Sequence, residues 1–129
     1  MPHKETMPIS YTIDRVKDIT IFNLSGEVSL EEYIQALRDY IDDNPTTYEM
    51  YDVRGLTGSR FSTDEVKRLT EFLQKRKAKR LPGSRTAIVV DRDIDFGLSR
   101  MISMMTDHTV PYRIEVFRSM DAAKKWLNE

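Results

Sequence analysis

The stretch RTAIVVDRDIDFGLSRMISMM, Arg85 to Met105, decides the reading of the fold. It opens with a short apolar strand, Thr86 to Val90, which ends in Asp91. A Met-rich helix, expected from about Ile94 to Thr106, follows at the Phe96-Gly97 pair. A similar unit precedes it: a strand ending YDVRG (Tyr51 to Gly55), then a helix opening at Ser62. Two strand-to-helix units, each with an aspartate at the strand's carboxyl end, point to an α/β sheet whose functional edge lies at those strand ends.

Working outward, Ile9 to Val16 and Ile19 to Leu24 are β-rich runs separated by Lys17-Asp18, which reads as a hairpin. In the second run Ile19, Ile21 and Phe22 break strict alternation, as expected of a strand covered on both faces. Gly26 ends it. Ser29 then opens SLEE, a capping box, and Leu30, Tyr33, Ile34, Leu37, Tyr40 and Ile41 recur at helical spacing until Asp42-Asp43-Asn44-Pro45. Tyr48 to Val53 reads as the third strand and RGLTGSRF as a loop whose glycines 55 and 58 let the chain turn. A second capping box, STDE from Ser62 to Glu65, starts a helix with Val66, Leu69, Phe72 and Leu73 on one face. Leu81-Pro82-Gly83 stops it. A last strand, Tyr112 to Phe117, and a short helix capped by Ser119 complete the chain.

The predicted architecture is therefore a single α/β sheet of about five strands, in the order β-β-α-β-α-β-α-β-α. Residues 1–8 read as a disordered lead-in and residues 9–129 as one domain. At 129 residues and 40% hydrophobic the chain is long and apolar enough for one core. No apolar run reaches the ~18 residues of a membrane span, and the amino terminus lacks the apolar region of a secretory signal. The absence of cysteine excludes a disulfide framework, a thiolate nucleophile and sulfur metal ligands. These features point to a cytoplasmic protein. A net charge of −1 gives no general argument for nucleic acid. The six bases between Lys75 and Arg85 read as a solvated helix end, with an anionic partner as the alternative.

The order and four stretches, LSGEVSLEEY (Leu24 to Tyr33), YDVRG, AIVVDRDIDFGLSRM (Ala87 to Met101) and VFRSMDAAKKWL (Val116 to Leu127), resemble the SpoIIAA-like family, relatives of the STAS domain of anti-sigma-factor antagonists and sulfate transporters. The resemblance covers roughly Ile9 to Leu127. It implies a small mixed sheet with flanking helices, no catalytic activity and frequent self-association. It also places Ser62 and Thr63 near the phosphoacceptor position of the antagonists. Here, however, SRFSTDEVKRL puts Asp64 and Glu65 where those proteins carry a glycine. A phosphate at that place would face two carboxylates.

No catalytic constellation is evident. Asp52 and Asp91 end strands expected to be neighbours, but Arg54 and Arg92 nearby favour both ionised forms. Structural or ligand-orienting roles thus compete with acid–base chemistry. The run Asp91, Asp93, Asp95 lacks the turn glycine and closing glutamate of a calcium loop, so no metal and no cofactor are expected. Ser59 and Ser99 lack the GxSxG spacing. The Met-rich helix carries Met101 and Met105 on one stripe, with Gly97 in its first turn. That stripe fits core filling, a dimer interface, or a pocket for an acyl or aromatic ligand. Phe96 could gate such a pocket, and Arg100 could meet an anionic group at its mouth. The candidate surface comprises Asp52, Arg54, Ser62, Asp91, Phe96, Gly97, Arg100, Met101 and Met105. The expected role is a non-catalytic regulatory module that forms a homodimer and binds an unidentified protein. The alternative is a carrier of a small amphipathic ligand, and neither nucleic acid nor integral membrane contact is expected.

Overall fold

The computed structural model describes residues 9–42, 45–57, 62–75, 83–91 and 113–128. Five strands form one sheet in chain order: β1 (Ile9–Asp14), β2 (Ile19–Gly26), β3 (Tyr48–Leu56), β4 (Arg85–Val89) and β5 (Arg113–Phe117). The hairpin pair β1–β2 is antiparallel and the remaining pairs are parallel, so the sheet is mixed as expected. Three described helices flank it: α1 (Leu30–Asp42), α2 (Thr63–Lys75) and α3 (Met120–Leu127). The Met-rich helix expected between β4 and β5 lies outside the described residues, as do residues 1–8.

The local signals act as their chemistry dictates. The Ser29 hydroxyl accepts the Glu32 N–H while Glu32 accepts the Ser29 N–H, at 3.1 and 2.9 Å. Ser62 and Glu65 repeat the exchange at the start of α2, at 3.2 and 2.9 Å. Ser119 caps α3 by accepting the Ala122 N–H. Each cap satisfies amides that the first helical turn leaves without partners.

Strand parity sorts side chains to two faces. Ile9, Phe22, Leu24 and Tyr51 pack under α1 and α2 with Leu30, Leu37, Tyr40, Leu69 and Phe72. Met50, Ala87 and Val89 pack on the opposite face under α3, with Ala123 and Leu127. The broken alternation of β2 is thereby explained: Thr20, Phe22 and Leu24 are buried on the α1/α2 face, while Ile19 and Ile21 are half-buried toward α3. Both crossovers from β2 through α1 to β3 and from β3 through α2 to β4 move the same way across the sheet. Right-handed connections then place both helices on one side.

Of the strand boundaries that differ from expectation, those of β1 and β3 have a visible local cause. β1 stops at Asp14, not Val16, because the Asp14 carboxylate accepts the N–H groups of Val16 and Lys17 and curls the chain early. Asp18 completes the turn at φ 58°, and Val16 is left 96% exposed. β3 runs on to Leu56, so Arg54 and Gly55 belong to the strand and not to the following loop. Gly55 is there for close approach and not for turning. A Cβ at this position would stand 3.1 Å from the Ser25 Cβ and 3.2 Å from the Leu24 carbonyl oxygen, where β3 carries one extra residue against β2. Gly26, by contrast, ends β2 at φ 71°, a conformation that favours glycine.

Candidate functional site

Parallel pairing brings the carboxyl ends of β2, β3 and β4 to one edge. Asp52 pairs in register with Asn23 on one side and Val89 on the other, and Asp91 follows two residues beyond Val89. Arg54 follows Asp52 by two residues, where β3 carries its extra residue against β2, and its side chain lies against the Asp52 carboxylate. The guanidinium grips the carboxylate through two bonds, Nε to Oδ1 and Nη2 to Oδ2, both 2.9 Å. The Arg54 backbone N–H adds a third at 3.2 Å.

The electrostatics follow from that fork. Hydrogen bonds from the Arg54 side chain hold Asp52 below its ordinary carboxylate value; partial burial opposes this, and the Arg54 amide and charge reinforce it. Arg54 is raised in turn, by its bonds to Asp52, by that carboxylate's charge and by the field of Asp91. Asp52 is therefore an ionised, hydrogen-bonded anion at neutral pH, with no proton to give as a general acid. Asp91 is exposed just past β4. The edge thus presents a fixed cation, 41% exposed on its side chain, flanked by two carboxylates.

Ser62 stands at the start of α2, after the loop that leaves β3. Its hydroxyl oxygen is committed to the Glu65 amide, and Glu65 leans back over the Ser62 N–H. Thr63 is the first residue of the helix and is exposed. The structure thus places Asp52, Arg54 and Asp91 on one edge and gives Ser62 a capping role. Phe96, Gly97, Arg100, Met101 and Met105 lie outside the described residues, as does Arg92.

Two features escaped the sequence reading. The first is Glu49, only 3% exposed beneath α1 and α2. Its Oε1 accepts the Tyr51 and Thr86 hydroxyls at 3.2 and 3.3 Å. Register places Thr20, Glu49 and Thr86 in one row across β2, β3 and β4, a polar rung inside an apolar face. The signal was present: Glu49 shares parity with Tyr51 and Val53 within YEMYDV, which puts a carboxyl on the covered side. The second is a groove of about 760 Å³ on the α3 face, floored by Ile19, Ile21, Tyr48 and Met50 and rimmed by Lys17 and Lys124. A much smaller void, about 50 Å³, lies between α1, α2 and the sheet beside Glu49. Among the described residues no three His, Asp or Glu side chains gather as a metal site. No described helix is long and apolar enough to cross a membrane.

The family model described as SpoIIAA-like matches residues 19–128. The chain belongs to the SpoIIAA-like family. Its fold is similar to that of an uncharacterised protein of the DUF3478 family with a SpoIIAA-like fold from Shewanella loihica PV-4. That match has 20% identity and a TM-score of 0.60, over 92% of this chain and 93% of the other. It is also similar to an anti-sigma factor antagonist from Mycobacterium paratuberculosis, at 16% identity and a TM-score of 0.56, over 94% and 95% of the two chains. No curated protein matches the sequence. At these identities the likeness shows the fold, and the SpoIIAA-like architecture agrees with the five-stranded sheet and its flanking helices.

Proposed function

We propose that this SpoIIAA-like chain is a non-catalytic, cytoplasmic regulatory module. In this reading residues 9–129 form one domain that acts as a homodimer and engages a protein partner through the carboxyl edge of its sheet. The observation that carries the reading is the Asp52–Arg54 fork beside Asp91. It is a surface pattern of one cation and two anions, in which the hydrogen bonds from Arg54 favour the ionised form of Asp52. Such a pattern suits recognition, because fixed charges set register and reject wrong partners without having to titrate. The similarity to an anti-sigma factor antagonist agrees with a protein-binding role. The capping duty of Ser62 and the neighbouring Asp64 and Glu65 argue against a phosphoacceptor switch at that serine.

One observation favours a second reading, carriage of a small amphipathic ligand. The groove on the α3 face falls in the ~300–1,000 Å³ range of small-molecule sites, and its floor is apolar with lysines at the rim.

Affinity capture from extracts of the native host, using wild type, Arg54→Glu and a Glu71→Ala control as bait, separates the two. The regulatory reading expects a protein whose recovery falls at least ~tenfold with Arg54→Glu and stays level with the control. Native mass spectrometry of the purified protein is run alongside. No Arg54-dependent protein, together with an adduct lost on denaturation, overturns the regulatory reading in favour of the carrier.

A further inference from the structure

The two edges of the sheet are built differently. β5 carries Arg113 and Glu115, ion-paired at 3.3 Å and both well exposed, and Arg118 follows immediately. Charges of this kind discourage the addition of another strand. β1 has no charged residue from Ile9 to Ile13, and among the described residues its one strand neighbour is β2. An edge strand turns a row of backbone donors and acceptors outward, and what satisfies such a row best is another extended chain.

A second, independent observation lies on the same strand. Register aligns Tyr11, Phe22 and Tyr51 in one row across β1, β2 and β3. Their rings follow one another at 5.1 and 4.4 Å, and Phe22 and Tyr51 are 1% and 5% exposed. Tyr11 ends the row at the open edge and is 38% exposed. It is one of two large hydrophobic residues in that state among those described, the other being Val16 in the turn.

We propose that β1 pairs antiparallel with β1 of a second copy, about a twofold axis through Tyr11, to give one continuous ten-stranded sheet across the dimer. The strand is self-complementary in this register and poorly so in the next. Centred on Tyr11, Ile9 faces Ile13 of the second copy and the two Tyr11 rings adjoin, all on the aromatic face. Ser10 faces Thr12 on the other face. Cross-strand pairs of like polarity stabilise such a ladder. Centred on Thr12 instead, Ser10 would face Asp14 and Ile9 would face Arg15. The aromatic row that stops at Tyr11 in one chain would run on into the other. This self-matching favours a second copy over a strand from another protein. The inference rests on the homodimer part of the reading above and is independent of the Arg54 edge, so partner capture and dimer formation fail or succeed separately.

The chain has no cysteine, so a single introduced thiol reports one contact. Directly opposed residues in an antiparallel pair have Cα atoms ~4.5–5.5 Å apart, inside the ~4.4–6.8 Å span of a disulfide. Under mild oxidation Tyr11→Cys should form a disulfide dimer in high yield. Val16→Cys, more exposed than Tyr11 but far from its own copy in this register, should not. In sedimentation, wild type should be a dimer. Ser10→Lys/Thr12→Lys, which stacks four ammonium groups at the junction and touches neither core, should weaken dimerisation at least ~tenfold with an unchanged far-UV spectrum. A wild-type monomer at ~100 µM overturns the proposal. So does a dimer that tolerates the double lysine variant and cross-links Val16→Cys as readily as Tyr11→Cys.

Discussion

Arg54 donates three hydrogen bonds to a single carboxylate, and the proton affinity of Asp52 records it. A carboxyl whose folded pKa lies below its unfolded value adds stability that is fully present above the unfolded value, near 4. That stability is lost as pH falls through the folded value. Asp52→Asn should therefore be less stable than wild type at pH 7, by less than about 1 kcal/mol because solvent screens this partly exposed pair. The gap should close as pH falls below about 4. Urea titrations at pH 7 and in acid check this, and a gap that persists unchanged in acid would refute the assignment. The sign of the charge pattern was legible in YDVRG, since Arg54 lies close to Asp52 in sequence and favours its ionised form. The bidentate fork was not, because it depends on the strand continuing to Leu56 through the close β2–β3 approach at Gly55.

The helices show at the element scale how far local chemistry reaches. All three described helices start where a serine cap was read, because capping involves residues only three apart and owes nothing to the rest of the fold. Ser62→Ala should lower stability by about 1 kcal/mol without changing the denaturant slope, and Ser62→Asp should recover much of that loss. Equal stability of Ser62→Ala and wild type would show that the Glu65 half of the box suffices. Strand ends were less legible than helix starts. The early stop of β1 depends on one carboxylate turning back on two amides, and the extension of β3 depends on a neighbouring strand.

At the scale of the whole molecule, a buried hydroxyl cluster ties α1 to the sheet. The Thr46 N–H donates to the Tyr40 oxygen at 2.9 Å, and Thr46 Oγ1 donates to the Tyr48 carbonyl at 2.8 Å. With its only proton spent there, Thr46 Oγ1 accepts from Tyr40 and from Thr20, at 3.0 and 2.7 Å. Burial first, and then the nearby Glu49, push the Tyr40 phenol up to about 12 from its ordinary value of 10. A raised folded pKa adds stability that is intact below pH 10 and is lost as pH rises from there toward 12. Tyr40→Phe should be destabilised by roughly 1–3 kcal/mol at pH 7, since the buried Thr46 amide loses its acceptor. It should also lose the part of the alkaline slope that Tyr40 carries. Unfolding followed from pH 8 to 12 reads both effects, and an identical alkaline limb in the variant would sink the idea.

What the sequence determined by itself is whatever depends on near neighbours along the chain. That set includes the serine caps, the helical stripes under Leu30 to Ile41 and Val66 to Phe72, the glycine at the end of β2, and the closeness in sequence of Asp52 and Arg54. The element order and these periodicities were enough to predict an α/β sheet of about five strands, and the resemblance to the family added that it is mixed. Only the tertiary structure decided which groups are covered and which are left open. Strand order makes β1 an edge and so leaves Tyr11 at the rim of its aromatic row. The same order puts β3 in the middle, under two helices, and so buries Glu49 among hydroxyls. Burial and register are sums over contacts between residues distant in sequence, and no window along the chain contains those sums.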